Sequence, residues 1–232
     1  MSREPLILPI PSRLLLGQAG DWCTTPAQSI NYASCHDNMT LLDRISRSTP
    51  GVSEEDRIRM NNLSAVIYMT AQGIPFLQAG EEMLRTKSMP PAVVENSYNS
   101  PDSVNSIKWD TLEDEAYQNV YNYYKGLMPS AKPNAALRLT NAADVNANIT
   151  SVDGLDENVL AFRINGGVNG ETSDGIFVIF NPNSTETSVT LPDGAWDVCV
   201  NADHAGTEAL TTVSGSVSVE PISAMVLVKK ES

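Results

Sequence analysis

The sequence predicts an α/β part followed by an all-β part. Up to about Leu139, apolar strand-like runs alternate with long helical patterns, and after it short β-rich runs alternate with turn residues. The change of pattern falls in a polar stretch near 133–145. We therefore predict two domains, 1–138 and 139–232. With 232 residues, 41% of them hydrophobic, the chain is long enough to bury a core.

The first part starts with a short strand and a long helix. Ser29–Ser34 is the strand candidate. The run Ser53-Glu54-Glu55-Asp56 resembles a capping box, with acids in the first turn where the helix dipole favours them. Apolar residues at helical spacing follow, and Gly73 is a natural helix stop. We therefore predict a helix that begins after Ser53 and ends before Gly73.

A second strand and a second helix complete the first part. Ile74–Ala79 is short, apolar and uncharged, which is typical of a buried parallel strand. Leu84–Trp109 shows no strong period, and a loop of that length is usually functional or disordered. Glu113–Met128 is predicted as helix. Strands that alternate with helices indicate parallel pairing, but two strands cannot close a barrel, so further strands are needed.

The second part predicts an antiparallel sandwich of about seven strands. Turn residues between the strands, Gly166-Gly167, Asp193-Gly194 and Ser214-Gly215, are hairpin signals. The predicted strands are Val159–Ile164, Gly175–Phe180, Ser188–Leu191, Trp196–Val200, Ala209–Val213, Ser216–Val219 and Ala224–Lys229. Trp196 is expected in the core, because a Trp side chain buries a large area.

The charge and the cysteines exclude several classes of protein. The formal net charge of −13 repels nucleic acids and anionic membranes, so neither is expected as a partner, whereas a neutral sugar polymer is compatible with it. Cys23, Cys35 and Cys199 show no metal or disulfide spacing. The apolar runs within 1–20 are too interrupted for a signal peptide or a membrane span. We predict no cofactor and no metal, and the sequence leaves the compartment open.

Polar side chains follow the first predicted strand. Ser34-Cys35-His36-Asp37-Asn38 lies at its end, where residues of a barrel strand point into an active-site mouth. An imidazole beside a carboxylate can bind two neighbouring hydroxyls of one pyranose ring, and the carboxylate can stabilise an oxocarbenium-like transition state. The alternative is ordinary turn chemistry. A thiol nucleophile at Cys35 is disfavoured, since nothing indicates a depressed thiol pKa.

The run Gln28-Ser29-Ile30-Asn31-Tyr32-Ala33-Ser34-Cys35-His36-Asp37-Asn38 resembles the fourth signature region of the α-amylase superfamily, in its type I pullulanase form. In that family the motif ends the seventh strand of a (β/α)8 TIM barrel. The resemblance implies that His36 binds substrate hydroxyls next to the scissile bond. It implies that Asp37 is the transition-state stabiliser and that Asn38 completes the substrate-binding motif.

A second run is similar to the eighth strand and the following loop of pullulanases. Gly73-Ile74-Pro75-Phe76-Leu77-Gln78-Ala79-Gly80-Glu81-Glu82 matches the strand and its exit. Arg85-Thr86-Lys87, followed by Asn96–Trp109, matches the loop. This match separates pullulanases from ordinary α-amylases. Arg85, Asn96 and Tyr98 are then expected to bind glucan. The alternatives are an ion-pair network of Glu81, Glu82 and Arg85 at the barrel rim, and loop packing for Tyr98. Met89–Val94 departs from the family pattern and is expected to alter substrate access.

The resemblance implies the last two strands and helices of a TIM barrel, followed by a β-sandwich. The implied activity is that of a starch-debranching glycoside hydrolase, which cleaves α-1,6-glucosidic bonds of pullulan and branched dextrins with retention. Retention needs a nucleophile and a general acid, and the family motifs that carry them do not occur in this sequence. We therefore expect the 232-residue chain alone to be inactive.

Two further readings stay open. The chain is alternatively a non-catalytic module, in which the sandwich and the retained sugar contacts bind or scaffold α-glucan. In the other reading the sandwich is purely a structural support packed on the barrel. Independently, two parallel strands without neighbours leave unpaired edges, which predicts self-association, pairing with further strands, or local rearrangement.

Overall fold

The computed structural model describes residues 25–89, 92–128 and 135–229. Within them the fold is a mixture of helices and antiparallel sheet. The helices are α1 (Leu41–Ser48), α2 (Glu54–Thr70), α3 (Asp102–Asn105), α4 (Glu115–Leu127) and α5 (Ala142–Asn148), with 3-10 turns at Pro26–Gln28, Glu81–Met83, Trp109–Glu113 and Ala135–Arg138. The strands are β1 (Ile30–Asn31), β2 (Ile74–Pro75), β3 (Ser88–Met89), β4 (Ala92–Val93), β5 (Ile149–Ser151), β6 (Leu160–Asn165), β7 (Gly175–Asn181), β8 (Thr187–Thr190), β9 (Trp196–Val200), β10 (Thr211–Val213), β11 (Ser216–Val219) and β12 (Ser223–Lys229).

Helix α2 confirms the predicted start and stop signals. The Ser53 side chain caps the helix by accepting a hydrogen bond from the Asp56 amide. The helix ends at Thr70, and Gly73 then has a φ of +108°. A Cβ at Gly73 would lie 2.8 Å from the Ser29 carbonyl oxygen. Glycine is therefore required twice here, for the backbone conformation and for the close approach of the β1 segment.

Strands β1 and β2 pair in parallel, as predicted, with Ile30 opposite Ile74 and Asn31 opposite Pro75. The prediction that Ile74–Ala79 is buried was wrong, because Ile74 is 49% and Phe76 45% exposed. Within the described chain no other strand pairs with β1 or β2. Among the described residues nothing covers the open side of these apolar side chains, and the regular pairing stops after two residues.

The second part forms two sheets, which confirms the predicted antiparallel strands. One described sheet has six strands in the order β10-β9-β12-β7-β6-β5, and β8 pairs with β11 in another. Each of the seven predicted strands lies within two residues of an observed one, and β5 was missed because it is short. Trp196 is 1% exposed and lies between the sheets, where its indole Nε1 donates to the Pro192 carbonyl at 2.9 Å.

Two of the three hairpin predictions were wrong. The loop that contains Gly166-Gly167 joins β6 to its partner β7. By contrast, Asp193-Gly194 and Ser214-Gly215 join strands of different sheets, because β8 and β11 pair with each other while β9 and β10 pair in the large sheet. Turn residues permit a reversal of the chain, but the choice of partner depends on which core the apolar faces bury.

Helices α2, α4 and α5 pack on the face of the large sheet that is turned away from β8 and β11. Val66 of α2 and Tyr123 of α4 share a buried cluster with Phe162, Val178 and Val226 of the sheet. The core therefore runs continuously from the helical part into the β part. Within the described residues no helix has the length and apolar character needed to cross a membrane.

The connection between the two parts is held by a buried and a half-buried polar side chain. Gln72 donates to the Ala136 carbonyl at 3.0 Å and accepts from the Leu139 amide at 2.8 Å. Arg138 donates to the carbonyl oxygens of Met69 and Ala71 at the end of α2. The bonds from Arg138 satisfy carbonyl groups that the end of a helix leaves without partners. The predicted boundary near 138 thus lies in a segment that these bonds fix to the end of α2.

Candidate functional site

The turn after β1 presents two adjacent polar side chains to solvent. The side chains of His36 and Asp37 are 87% and 64% exposed, and His36 Nε2 lies 3.3 Å from Asp37 Oδ2. Asn38, also exposed, has a φ of +63°, in the left-handed region. The turn therefore holds an imidazole and a carboxylate side by side, free to contact a ligand.

A buried lysine lies beneath this turn. Lys87 is 1% exposed, and its ammonium Nζ donates to the carbonyl oxygens of His36 at 3.2 Å and Asn38 at 2.9 Å. Burial lowers the pKa of this ammonium, and the charge of Arg85 lowers it further, while Asp43 and Asp37 oppose both effects.

Asp43 holds the segment that carries the lysine. Its Oδ2 accepts from the Lys87 amide at 2.7 Å, and its Oδ1 accepts from the Thr86 hydroxyl. Asp43 is 4% exposed in the first turn of α1, where its own amide donates to the Thr40 hydroxyl at 3.2 Å. A carboxylate at a helix N-terminus is favoured by the helix dipole, which helps to offset its burial.

A second buried carboxyl group supports the start of the same turn. Glu81, 5% exposed, accepts from the Ser34 hydroxyl at 2.7 Å and from the Tyr68 hydroxyl at 2.8 Å. The Tyr124 hydroxyl approaches it at 3.4 Å. Burial raises the pKa of Glu81, and the hydrogen bond from Ser34 is the largest opposing influence. Glu81 thereby joins the β1 exit to helices α2 and α4.

The side chain of Arg85 faces the protein. Its guanidinium donates to the Asn105 carbonyl at 2.7 Å and to the Ala79 carbonyl at 3.4 Å. The alternative of an ion-pair network at the rim finds no support in these contacts, since Glu81 is held by hydroxyl groups and Glu82 accepts from the Gly80 amide at 2.8 Å. A glucan contact by Arg85 stays a prediction, and in this structure the guanidinium braces the loop.

The loop after Val94 exposes the other two predicted contact residues. Tyr98 is 83% exposed, and Asn96 is exposed as well. Asn105 fixes the loop from inside by donating to the carbonyl oxygens of Ser97 at 2.6 Å and Ser100 at 3.0 Å. The exposed tyrosine is therefore carried on an anchored backbone, so the loop-packing alternative for its ring finds no support here.

Sequence reasoning missed the buried supports, namely Lys87, Asp43 and the pair Ser34–Glu81. Lys87 and Glu81 lie within the motif runs that were recognised, but nothing in their sequence neighbourhood signals burial. Across 25–89, 92–128 and 135–229, no three His, Cys, Asp or Glu residues are grouped so as to hold a metal ion.

Comparisons with known proteins agree with the motif reading. Residues 145–204 match the family model described as "Pullulanase, all-beta domain". The pullulanase of Bacillus subtilis (strain 168) is 37% identical over 139 residues, which cover 60% of this chain and 18% of that protein. Among solved structures, the pullulanase of Bacillus acidopullulyticus superposes with a TM-score of 0.89 at 35% identity, covering 98% of this chain and 27% of that one.

A variant of the Paenibacillus barengoltzii pullulanase, solved in complex with maltotetraose, is similar too. Its TM-score is 0.82 at 33% identity, and the match covers 95% of this chain and 33% of that one. This chain thus spans a third or less of the length of these relatives.

The fold, the turn after β1 and the similar proteins together match one region of pullulanases. The resemblance to pullulanases that the two motifs predict is thereby confirmed.

Proposed function

We propose that this chain is the C-terminal part of a debranching glycoside hydrolase that cleaves α-1,6-glucosidic bonds of pullulan and branched dextrins with retention. The observation that carries the proposal is the exposed His36–Asp37 pair at the exit of a parallel strand, with its side chains 3.3 Å apart. The similarity to pullulanases over most of the chain supports the substrate class.

In this proposal Asp37 is the transition-state stabiliser. As the sugar ring flattens toward an oxocarbenium ion, contacts from its hydroxyls to a carboxylate strengthen. His36 binds a neighbouring hydroxyl, and Asn38 completes the motif. Asn96 and Tyr98, both exposed, supply further glucan contacts, and Arg85 contributes through its remaining donors. A tyrosine ring on an anchored loop suits a sugar face, because it combines apolar area with a polar tip.

We also propose that β1 and β2 are two strands of a (β/α)8 barrel formed with further strands, and that 1–138 and 139–232 are separate domains. Ile30, Tyr32, Ile74 and Phe76 are 59%, 54%, 49% and 45% exposed. Alternation along paired strands puts these four side chains on one face, and the rings of Tyr32 and Phe76 pack edge to face at 6.0 Å. Such a face needs a cover, which further barrel strands would provide.

The 232-residue chain alone is proposed to be inactive. A retaining glycosidase places its nucleophile and its general acid about 5–5.5 Å apart across the bond. The motifs that carry these two groups in the family do not occur in this sequence. Loss of a nucleophile removes most of the rate enhancement.

Two measurements test the proposal. Reducing-sugar release from pullulan should be absent for the purified 232-residue chain and present for a longer polypeptide that adds a complete barrel. In the active polypeptide, Asp37→Asn should lower kcat strongly while the fold persists. Turnover by the short chain that Asp37→Ala abolishes would overturn the inactivity claim. Full activity of the Asp37→Asn variant would overturn the role of Asp37.

A non-catalytic α-glucan-binding module is the second candidate, and the 83% exposure of Tyr98 favours it. Titration of the chain with maltotetraose separates the cases. Binding by a longer polypeptide that lacks all turnover supports the module, whereas turnover supports the hydrolase.

Sedimentation at several protein concentrations tests self-association through β1 and β2, which Phe76→Ser should weaken if the apolar face is the contact.

A further inference from the structure

Lys87 combines near-complete burial with two contacts to the site turn. Its side-chain nitrogen donates to His36 O at 3.2 Å and to Asn38 O at 2.9 Å. We propose that Lys87 is a positioning residue, which fixes the turn so that the side chains of His36 and Asp37 are held in place for a ligand. The proposal rests on the proposed glucan-binding role of that turn.

The two hydrogen bonds bracket Asp37. One accepting carbonyl belongs to the peptide group just before Asp37 and the other to the peptide group just after Asn38, so the ammonium ties the backbone at both ends of the Asp37-Asn38 dipeptide. The direction of the Asp37 side chain depends on the backbone held between these two points. A carboxylate that stabilises a transition state must be held closely in its productive geometry, since a displacement of about 1 Å can cost roughly a hundredfold in rate.

The turn needs such a support. Asn38 has a φ of +63°, in the left-handed region that residues other than glycine adopt uncommonly. The side chains of His36 and Asp37 are largely exposed, so they contribute little packing that could hold the turn. Charge-assisted hydrogen bonds are roughly twice as strong as neutral ones, which makes an ammonium an effective anchor.

Lys87 is itself held on both sides. Its amide donates to Asp43 Oδ2 at 2.7 Å, and its carbonyl oxygen accepts from the Val94 amide at 3.0 Å. Asp43 belongs to α1, which begins two residues after Met39 at the end of the turn. The ammonium thus connects the turn to a frame made of α1 and the paired strands β3 and β4.

Burial of an ammonium group is costly unless it is compensated by hydrogen bonds. Lys87 is 1% exposed, whereas a methionine would fill similar space at no electrostatic cost. A purely packing role would therefore be served better by an apolar residue. The two carbonyl contacts give the charge a function that Met cannot supply.

The test compares Lys87→Met with Lys125→Met, a matched change at an exposed lysine of α4. Backbone ¹⁵N order parameters are measured for the free chain, and maltotetraose is titrated into each variant. Lys87→Met should keep the circular dichroism spectrum. The order parameters of Asp37 and Asn38 should fall from about 0.85 to below about 0.6. The Kd should rise about tenfold, a change of about 1.4 kcal/mol. Lys125→Met should match the wild type in both measurements.

The two readouts separate the proposals. A looser turn in Lys87→Met, in a chain whose wild type does not bind maltotetraose, supports positioning and refutes the glucan site. Unchanged order parameters in a folded Lys87→Met overturn the positioning role, whatever the wild type binds. If Lys87→Met does not fold, Lys87→Gln is judged by the same order parameters, because its amide retains donors and removes the charge.

Discussion

Gly126 of α4 lies directly against the backbone of Ala205 in the loop after β9. A Cβ built on Gly126 would stand 1.8 Å from the Ala205 carbonyl oxygen, far inside van der Waals contact. The hydrogen bond from the Tyr123 hydroxyl to the Asn201 carbonyl, 2.9 Å long, lies one helical turn away. Helix α4 and the β part therefore approach each other so closely that only glycine fits at this position.

Replacing Gly126 by Ala should destabilise the chain. In an exposed helix the change would be favourable by about 1 kcal/mol. Overpacking usually costs about 1–3 kcal/mol, and here the clash is with backbone, which cannot rotate away. We expect the clash to win, so urea denaturation should show a lower free energy of unfolding.

Gly206→Ala is the control for that contact, because it adds the same methyl group beside Ala205. The nearest atom to a Cβ at Gly206 is the Glu208 nitrogen, 4.0 Å away. This variant should match the wild type within about 1 kcal/mol. Equal stability of the two variants would show that the parts can separate slightly at no cost.

Asn181 at the end of β7 should be hard to replace. It is fully buried, and its Nδ2 lies within 3.1 Å of the carbonyl oxygens of Thr185, Val219 and Glu220. Asn181→Ala leaves these acceptors without their donor, which costs about 1–3 kcal/mol. Asn181→Asp should cost more, since a carboxylate would face three carbonyl oxygens. Thermal unfolding measures both changes.

Asn183→Ala is the comparison for Asn181. Asn183 Nδ2 donates to the Glu157 carbonyl at 2.9 Å in an exposed setting, where water replaces a lost donor. Its replacement should change stability by no more than about 0.5 kcal/mol. A loss at Asn183 as large as that at Asn181 would mean that the loop conformation, rather than burial, sets the cost.

Much of the fold was predictable because local signals and core signals agree there. The cap at Ser53 and the stop at Gly73 bound α2, and the apolar runs of the β part lie where its strands form. The short helix α5 was missed, since seven residues in a polar stretch give little period, although Asn141 caps it through the Asp144 amide. Partner choice at Ser214-Gly215 failed because a turn residue carries no information on which sheet receives the next strand.

The exposed side of the site was predictable, and its support was not. His36 and Asp37 are neighbours in sequence, so their pairing follows from the motif itself. The contacts of Lys87 with the turn span 49 and 51 residues, and the contact of Glu81 with Ser34 spans 47. A buried charge contradicts the usual rule that lysine and glutamate are exposed. Only the packing of α1 and α2 around the turn brings these groups together.

Glu81 should make stability depend on pH. Burial raises its pKa above the unfolded value, so the folded chain retains the proton to higher pH than the unfolded chain. The stabilisation is fully present below the unfolded pKa, near 4.5, and is lost as pH rises through the folded pKa. Glu81→Gln keeps an acceptor for the Tyr68 hydroxyl and cannot ionise. Its stability relative to the wild type should therefore increase with pH across that window.

Chemical denaturation at a series of pH values from 4 to 8 measures this difference. Glu113→Gln, at an exposed position in the 3-10 turn before α4, is the matched change and should follow the wild type. A constant difference between Glu81→Gln and the wild type would show that the carboxyl group has the same pKa in both states.

Cys199 should be unreactive in the folded chain. It is 4% exposed, and burial, followed by the charges of Asp197 and Glu208, raises the pKa of its thiol to about 11. At pH 8 only roughly a thousandth of such a thiol is ionised, against about a quarter of an ordinary one with a pKa near 8.5. In a Cys23→Ser/Cys35→Ser variant, reaction with Ellman's reagent should be at least about a hundredfold slower in the folded state than in guanidinium. Because Cys199 is the single remaining cysteine in this variant, the signal is unambiguous. Comparable reaction rates in both states would mean that β9 opens readily at the edge next to β10.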